Sequence, residues 1–290
     1  MVDRDGLPPA TQPVGGATSP PLLPHPAEGR GRFRWRYVET HAAGGGARLL
    51  SLLSLLGAWI AAAAVLSPSV LPGPLDTLAF SWRELQRGEL LFHLGMTMRR
   101  VLIAFSVAMV AGTLLGALVG ALKPLDKLLS AWIIFGLTIP RIVLFVMAYL
   151  IFGLNDTAAV VALILTVLPT VIVQLREGTR ALDPKLLELA RAYRRPPLLV
   201  WQQVVFPQLL PFVVGTARTA LSLAWKMVVL AELLGRTSGV GYQISFYFQM
   251  FNMTGILAYG LAMMVVLALI DVSFSALTQR AFRWRRPVRF

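Results

Sequence analysis

Six long apolar runs divide this chain, and they constrain its fold more than any other feature does. An α-helix needs about 20 apolar residues to cross a bilayer. Runs of roughly this length occupy residues 49–70, 101–122, 128–153, 157–175, 209–234 and 254–276. Of the 290 residues, 56% are hydrophobic and 14% are charged, whereas soluble domains contain about 25% charged residues. We therefore predict an all-α, polytopic membrane protein with about six transmembrane helices.

Positive charge is distributed unevenly over the loops, and this predicts the orientation of the chain. Lys and Arg concentrate in both termini, the 123–127 loop and the loop after the fourth run, whereas the other three loops contain Arg83, Arg87 and Arg236, with Arg99 and Arg100 at the flank of the second run. Since basic loops stay on the cytoplasmic side, both termini are expected to be cytoplasmic. A net charge of +13 would indicate a nucleic-acid partner in a soluble protein. Here the expected partner of the basic ends is the lipid bilayer, with no nucleic acid.

The composition divides the chain into three regions. Residues 1–47 are rich in Pro and Gly and lack apolar periodicity, so we predict a disordered, basic cytoplasmic tail without a cleavable signal peptide. Residues 48–280 form the predicted transmembrane domain. Residues 281–290 are predicted to be a basic cytoplasmic C-terminus.

The loop after the fourth apolar run is long and basic. The segment Arg176–Pro211 contains six Lys or Arg residues, so it is predicted to be cytoplasmic. Pro184 suits the first turn of a helix, and DPKLLELARAYRR has apolar residues at helical spacing. Pro196-Pro197 then ends this helix because proline lacks a backbone donor. Two interpretations of this amphipathic helix stay open, docking on another protein and lying at the membrane interface.

The same loop carries a family resemblance. Glu188-Leu189-Ala190, followed by Phe206-Pro207 and by Pro211, resembles the EAA loop of ABC importer permeases. The resemblance places the coupling loop at about residues 176–208. Motifs outside the loop resemble the nitrate, sulfonate and taurine importer group, namely LPGP at 71–74, Ala231-Glu232-Leu233-Leu234-Gly235 and Ser238-Gly239-Val240-Gly241-Tyr242.

This resemblance implies a type I ABC importer permease of the bacterial inner membrane. Two copies of the permease would form the pathway, an ABC ATPase subunit would bind each cytoplasmic helix and hydrolyse ATP, and a substrate-binding protein would deliver a small solute. The residues that the resemblance assigns to ATPase coupling are Glu188, Leu189, Ala190, Arg191, Tyr193, Arg194 and Pro207.

One position departs from the family pattern. The family usually has Gly six residues after the Glu, where this chain has Arg194. A Gly at a helix end permits a positive φ angle that Arg tolerates poorly. We therefore expect Pro196-Pro197 to remake the turn.

Ionisable residues inside the apolar runs are the candidates for a substrate pathway, because a charge in a membrane needs a partner or a purpose. The candidates are Arg141, which interrupts the third run, Lys226 and Glu232. We interpret Arg141 and Lys226 as a basic lining for a small anion such as a sulfonate, nitrate or related organic acid. For Arg218, in the same run as Lys226, a structural ion pair or a side chain that reaches the membrane interface is favoured over a role in the pathway.

Several function classes lack their sequence signals. The chain has no Cys, and its three His are scattered, so we predict no disulfide, no metal site and no bound cofactor. No Lys follows the P-loop spacing and no catalytic motif is present, so we predict a transport subunit that is not an enzyme. An ATP-independent secondary transporter or channel is the alternative, and a membrane anchor is a third class. Gly112, Gly116 and Gly120 predict one close helix contact.

Overall fold

The computed structural model describes residues 45–281, and within this range the chain is helical without a β-strand. The helices are α1 (Gly45–Val65), α2 (Pro74–Gln86), α3 (Glu89–Ala121), α4 (Lys123–Thr138), α5 (Arg141–Phe152), α6 (Asp156–Arg180), α7 (Pro184–Ala192), α8 (Pro197–Val200), α9 (Phe206–Gly235), α10 (Val240–Gln249) and α11 (Met253–Ala281). A π-helical segment, Trp201–Val205, joins α8 to α9. The predicted all-α fold is confirmed.

The described residues divide into two units, one that ends at Leu52 and one that begins at Leu53. The described part of the first unit is the opening of α1, and helices α2–α11 belong to the second. The predicted disordered tail lies outside the described residues except for 45–47. The predicted basic C-terminus lies outside them except for Ala281. Both remain predictions.

Within residues 45–281, four helical stretches are long and apolar enough to cross a membrane. They are α3, α6, the continuous stretch from α8 to α9, and α11. A fifth crossing results if α4 and α5 together form one span. The apolar part of α1, Leu49–Val65, is shorter than these four. The structure therefore supports four of the six predicted spans, and a fifth, the third predicted span, if α4 and α5 count as one crossing. The first predicted span is not among them.

The third predicted span is two helices rather than one. Helix α4 ends at Thr138 and α5 begins at Arg141, and the two helix axes are bent by 97°. Pro140 lies in this corner, where the absence of its N–H and the restriction on the residue before it both oppose a continuous helix. Arg141 thus begins a helix instead of interrupting one.

The close helix contact predicted from the glycine stripe is confirmed and joins α3 to α6. A Cβ atom on Gly112 would lie 2.6 Å from Val171 Cγ1, and one on Gly116 would lie 2.7 Å from the backbone oxygen of Ile172. A larger residue at either position would separate the two helices. Helices α6 and α3 then pack with α9 around a core in which Trp225 is buried and donates to the backbone oxygen of Met263 at 3.1 Å.

The chain order assigns the short helices to opposite ends of the bundle. The starts of α3 and α6 meet the end of α9, and α2 and α10 contact this end. Helix α7 connects the end of α6 to the start of α9, so it lies at the other end.

Candidate functional site

Helix α7 is a short amphipathic helix with a defined start and a defined end. The Asp183 side chain accepts a hydrogen bond from the Lys185 N–H at 2.9 Å and caps the first turn, and Pro184 occupies the first position, as predicted. At the other end, the Arg195 N–H donates to the backbone oxygen of Ala190 at 3.1 Å. Both ends are therefore closed by local hydrogen bonds, which makes α7 a preformed unit.

The turn after α7 keeps the left-handed geometry that a Gly would normally provide. Arg194 has a φ angle of +48°, and its N–H donates to the backbone oxygen of Arg191 at 2.9 Å. Together with the Arg195 bond, this is the Schellman pattern of helix termination. The expectation that Pro196-Pro197 remakes the turn is wrong, because the chain reverses at Arg194 before it reaches the prolines. Arg194 instead bears the strain of a positive φ.

Most of the predicted coupling residues lie on the open surface of α7. Leu189 and Tyr193 are 53% and 70% exposed, although both are large and apolar. Ala190 is buried, and Pro207 is half-buried at the start of α9. The exposed residues that share this surface with Leu189 and Tyr193 are Glu188, Arg191 and Arg194.

A glutamine side chain links α7 directly to α9. Gln208 Oε1 accepts from the Asp183 N–H at 2.9 Å, and Gln208 Nε2 donates to the backbone oxygen of Val204 at 3.0 Å. Asp183 caps α7, and Val204 belongs to the π-helical segment before α9. Gln208 therefore connects the start of α7 with the start of the span.

A polar cavity of about 500 Å³ opens between α5, α6, α9 and α11. The residues that line it are Arg141, Thr170, Arg218, Thr219, Ser222, Leu223, Lys226 and Asp271. The structure thus brings together two of the predicted pathway residues, Arg141 and Lys226. Both side chains are exposed, and neither has an ion-pair partner within residues 45–281. Their charge is available to a ligand.

Arg218 also reaches this cavity, but it has a partner. Its Nε and Nη2 atoms donate to the two carboxylate oxygens of Asp271 at 2.7 and 2.8 Å. The side chains are 53% and 50% exposed. The ion pair that the sequence favoured for Arg218 is present. Its partner was missed because Asp271 lies 53 residues further along the chain.

Glu232, the third predicted pathway residue, lies elsewhere. Its side chain is buried and its carboxylate accepts from Arg100 Nη1 at 2.6 Å and from Thr97 Oγ1 at 2.9 Å. Glu232 is not among the residues that line the cavity of Arg141 and Lys226. Its position corresponds to a structural ion pair rather than to a pathway lining.

Glu232 also holds the first turn of α10. The Gly241 N–H donates to Glu232 Oε2 at 2.8 Å, and the Val240 N–H donates to Thr97 Oγ1 at 2.9 Å. A Cβ atom on Gly239 would lie 2.2 Å from the Glu232 carboxyl group, and the φ angle of Gly239 is +107°. The two glycine-containing motifs that carried the resemblance are therefore one structural unit, in which a carboxylate caps a helix.

Arg100 is the residue that sequence analysis missed at this end of the bundle. It is fully buried and binds Asp156 as well as Glu232, and its Nη1 donates to the backbone oxygen of Ser238 at 2.7 Å. Arg236 also pairs with Asp156, at 2.8 Å. The signal in the sequence was an Arg at the start of an apolar run, which we interpreted as a flank of the span. It lies within α3, which begins at Glu89.

A second buried carboxylate ties the short helices to the bundle. Glu84 of α2 accepts a hydrogen bond from the Tyr259 hydroxyl of α11 at 3.1 Å. Tyr247 of α10 lies beside it, and burial, with the nearby Glu84 charge, raises the pKa of Tyr247. Helices α2, α10 and α11 thus share one polar contact.

Comparisons with known proteins agree with this architecture. Residues 108–283 match the family described as binding-protein-dependent transport system inner membrane component. The putative aliphatic sulfonates transport permease of Bacillus subtilis is 30% identical over 227 residues, which cover 76% of this chain and 80% of that protein. The nitrate import permease of Synechococcus elongatus is 27% identical over 199 residues, which cover 65% of this chain and 71% of that protein.

Solved structures resemble this chain in their fold. A chain of the MetNI methionine ABC transporter, in an inward-facing conformation, matches with a TM-score of 0.55 and 21% identity. The match covers 66% of this chain and 94% of that one. At this identity it concerns the fold alone, and it agrees with the predicted type I permease architecture.

Proposed function

The chain belongs to the family of binding-protein-dependent transport system inner membrane components, the permeases of ABC importers, and we propose that it conducts a small anion through the cavity of Arg141 and Lys226. Family membership sets aside the alternatives of a secondary transporter, a channel and a membrane anchor. It also places the chain in the inner membrane and implies an ATPase and a binding protein as partners.

One observation carries the anion proposal. Arg141 and Lys226 face one cavity of about 500 Å³ with no carboxylate paired to either of them within residues 45–281. A cavity of this size suits a small ligand. Ionisable residues within membrane spans pair with another charge or mark the path of a substrate or ion. Hydroxyl groups of Thr170 and Ser222 line the same cavity and supply hydrogen-bond donors, whereas the Thr219 hydroxyl donates to the backbone oxygen of Gly215.

The relatives narrow the class of anion. Those with named substrates include permeases for aliphatic sulfonates, nitrate and taurine. Each of these solutes contains a small oxyanion group. We propose the same class for this chain, with oxygen atoms of the substrate bound by Lys226 and Arg141.

The assembly follows from the family and from the charge distribution. We propose a homodimer, in which the second copy covers the open side of the cavity. Both termini and α7 lie in the cytoplasm because the basic loops are on that side. The permease itself binds no cofactor, and the partner subunit hydrolyses ATP.

Helix α7 is the proposed contact with the ATPase. Its exposed Leu189 and Tyr193 offer an apolar centre, with Glu188 and Arg191 beside them, which is the composition of a protein-docking helix. When the ATPase closes, α7 moves, and the Gln208 hydrogen bonds transmit this movement to α9. Since α9 carries Lys226, ATP hydrolysis then changes access to the cavity.

Uptake measurements test the anion proposal. The permease is expressed with its neighbouring ATPase and binding protein, and the uptake of labelled taurine, ethanesulfonate, nitrate and bicarbonate is measured. We expect at least one to be transported, and Arg141→Met and Lys226→Met to raise KM or abolish uptake. Lys123→Met, at the start of α4 and outside the cavity, is the matched control. Unchanged kinetics in both cavity variants would refute the proposed role of the cations.

A charge reversal tests the coupling helix. Glu188→Lys is expected to abolish substrate-stimulated ATP hydrolysis and uptake, because it disturbs the ATPase contact. Lys185→Glu, an exposed reversal at the start of α7, is the comparison. If Glu188→Lys preserved both activities, α7 would not be the docking helix, and an interfacial role would be the better explanation.

A further inference from the structure

We propose that Arg218 and Asp271 form an exchangeable ion pair, in which the transported anion displaces Asp271 from Arg218 and Asp271 later returns to release the anion. The inference rests on the proposed anion function. It assigns a role in substrate release to Asp271, whose carboxylate has no role in the anion pathway described above.

Arg218 binds the Asp271 carboxylate with the geometry that would also bind an oxyanion group of a substrate. Two parallel N–H donors of Arg218 reach the two oxygens of Asp271 at 2.7 and 2.8 Å. The planar guanidinium group binds a carboxylate, a sulfonate or a nitrate with the same fork of donors. Asp271 therefore occupies a position that an oxyanion group of the substrate would fit.

The exposure of the pair makes the exchange feasible. Both side chains are about half exposed and line the cavity. An anion can reach a pair that is this exposed, and an oxyanion that takes the place of Asp271 restores both hydrogen bonds of Arg218. The Arg218 side chain makes no other hydrogen bond or ion pair within residues 45–281.

The ion pair between Arg100 and Glu232 has the opposite environment. Arg100 and Glu232 are both fully buried, and both have further hydrogen-bond partners. A partner removed from such a pair leaves an uncompensated buried charge. The Arg100–Glu232 pair is thus suited to holding helices together, whereas the Arg218–Asp271 pair is suited to exchange.

The position of the pair along α9 indicates its place in the transport cycle. Arg218, Ser222 and Lys226 follow one another at four-residue intervals, and all three line the cavity. Each interval advances about 6 Å along a helix. Because α9 begins beside α7, Arg218 is nearer to the α7 end than Lys226 is. An anion that enters from the α10 end meets Lys226 first and the Arg218–Asp271 pair afterwards.

The charge balance explains why release needs Asp271. The cavity contains three cations and one carboxylate. Without Asp271, an anion that reaches Arg218 would be held by an unopposed fork of donors. When Asp271 competes for the same fork, the anion leaves toward the cytoplasm and the pair reforms. Asp271 thus keeps the affinity of the last site low.

The test compares binding with turnover in Asp271→Asn. The full-length permease, assembled with its ATPase and binding protein, is assayed with whichever of taurine, ethanesulfonate, nitrate and bicarbonate the wild type transports. Because Asp271→Asn frees a pair of charge-assisted hydrogen bonds for the substrate, we expect binding to tighten by about tenfold. The maximal uptake rate is expected to fall in parallel. Asp76→Asn, an exposed change in α2, should behave as the wild type.

A double variant separates exchange from loss of structure. In Arg218→Met/Asp271→Met neither charge remains, so the anion is no longer trapped and the maximal rate should exceed that of Asp271→Asn. The inference is overturned if Asp271→Asn has wild-type KM and maximal rate, or if its binding weakens. Failure of the proposed function looks different, because the wild type would then transport none of the four anions.

Discussion

Replacing Glu232 with Gln is expected to destabilise the protein by about 3 kcal/mol, at the lower end of the range for breaking a buried ion pair. The Glu232 side chain is buried and accepts from Arg100 at 2.6 Å and from the Gly241 N–H at 2.8 Å. A Gln keeps one acceptor oxygen, but its NH₂ group then faces a donor. The loss is limited because Arg100 keeps its bond to Asp156.

The assay is thermal unfolding of the purified protein in detergent, followed by tryptophan fluorescence. For a domain of this size each kcal/mol lowers Tm by about 2–4 °C, so Glu232→Gln should lower it by roughly 6–12 °C. Glu177→Gln is the matched control, since Glu177 forms ion pairs at the surface with 55% of its side chain exposed. Pairs of this kind contribute little.

A double-mutant cycle separates the energy of the ion pair from the other effects of each substitution on stability. The cycle compares Arg100→Met, Glu232→Met and the double variant. Because the double variant has neither charge, its loss of stability should be smaller than the sum of the losses in the two single variants. A wild-type Tm for Glu232→Gln would show that this ion pair does not stabilise the fold. An altered KM for uptake at unchanged Tm would instead return Glu232 to the substrate pathway.

Three further changes test other parts of the structure. Arg194→Gly should raise stability by up to about 1 kcal/mol, because relief of the positive φ outweighs the entropy of Gly, and a fall in Tm would contradict this. Gly239→Ala should reduce the yield of folded protein, since its Cβ would lie 2.2 Å from a carboxylate, whereas Gly260→Ala has open space and should be neutral in the same expression assay. Gln208→Ala should lower the uptake per ATP hydrolysed while ATPase activity persists, and a parallel loss of both would argue against transmission through this side chain. Gln249→Ala, at the exposed end of α10, is its control.

The helices of this protein were largely predictable because their signals are local. Helix α7 starts at Pro184 as predicted, and the predicted close helix contact is the α3–α6 packing. The corner at Pro140 was not predicted, because a proline can either kink a span or end a helix, and the neighbouring helices decide between the two. The prediction that Pro196-Pro197 remakes the turn after α7 was wrong for a related reason. Two hydrogen bonds of the helix end outweigh the cost of a positive φ.

The candidate site was predictable only in part. Arg141 and Lys226 were identified because a charge in an apolar run is conspicuous wherever it lies, and the structure places both in one cavity. Glu232 carried the same signal but has a different environment. Nothing in the local sequence distinguishes a buried carboxylate from a pathway carboxylate, since the distinction depends on a partner 132 residues away.

The order of residues is sufficient to identify the segments that are helical and apolar enough for the membrane, the positions where a proline ends a helix or a glycine permits a close contact, and the family that the chain resembles. These properties depend on side chains within a few residues of each other or on motifs of fixed spacing. Which charges neutralise one another depends instead on the packing of the helices. Arg100 and Glu232 form a buried ion pair, whereas Arg218 and Asp271 form an exposed one, because helices distant in the chain pack together and set the exposure of each pair.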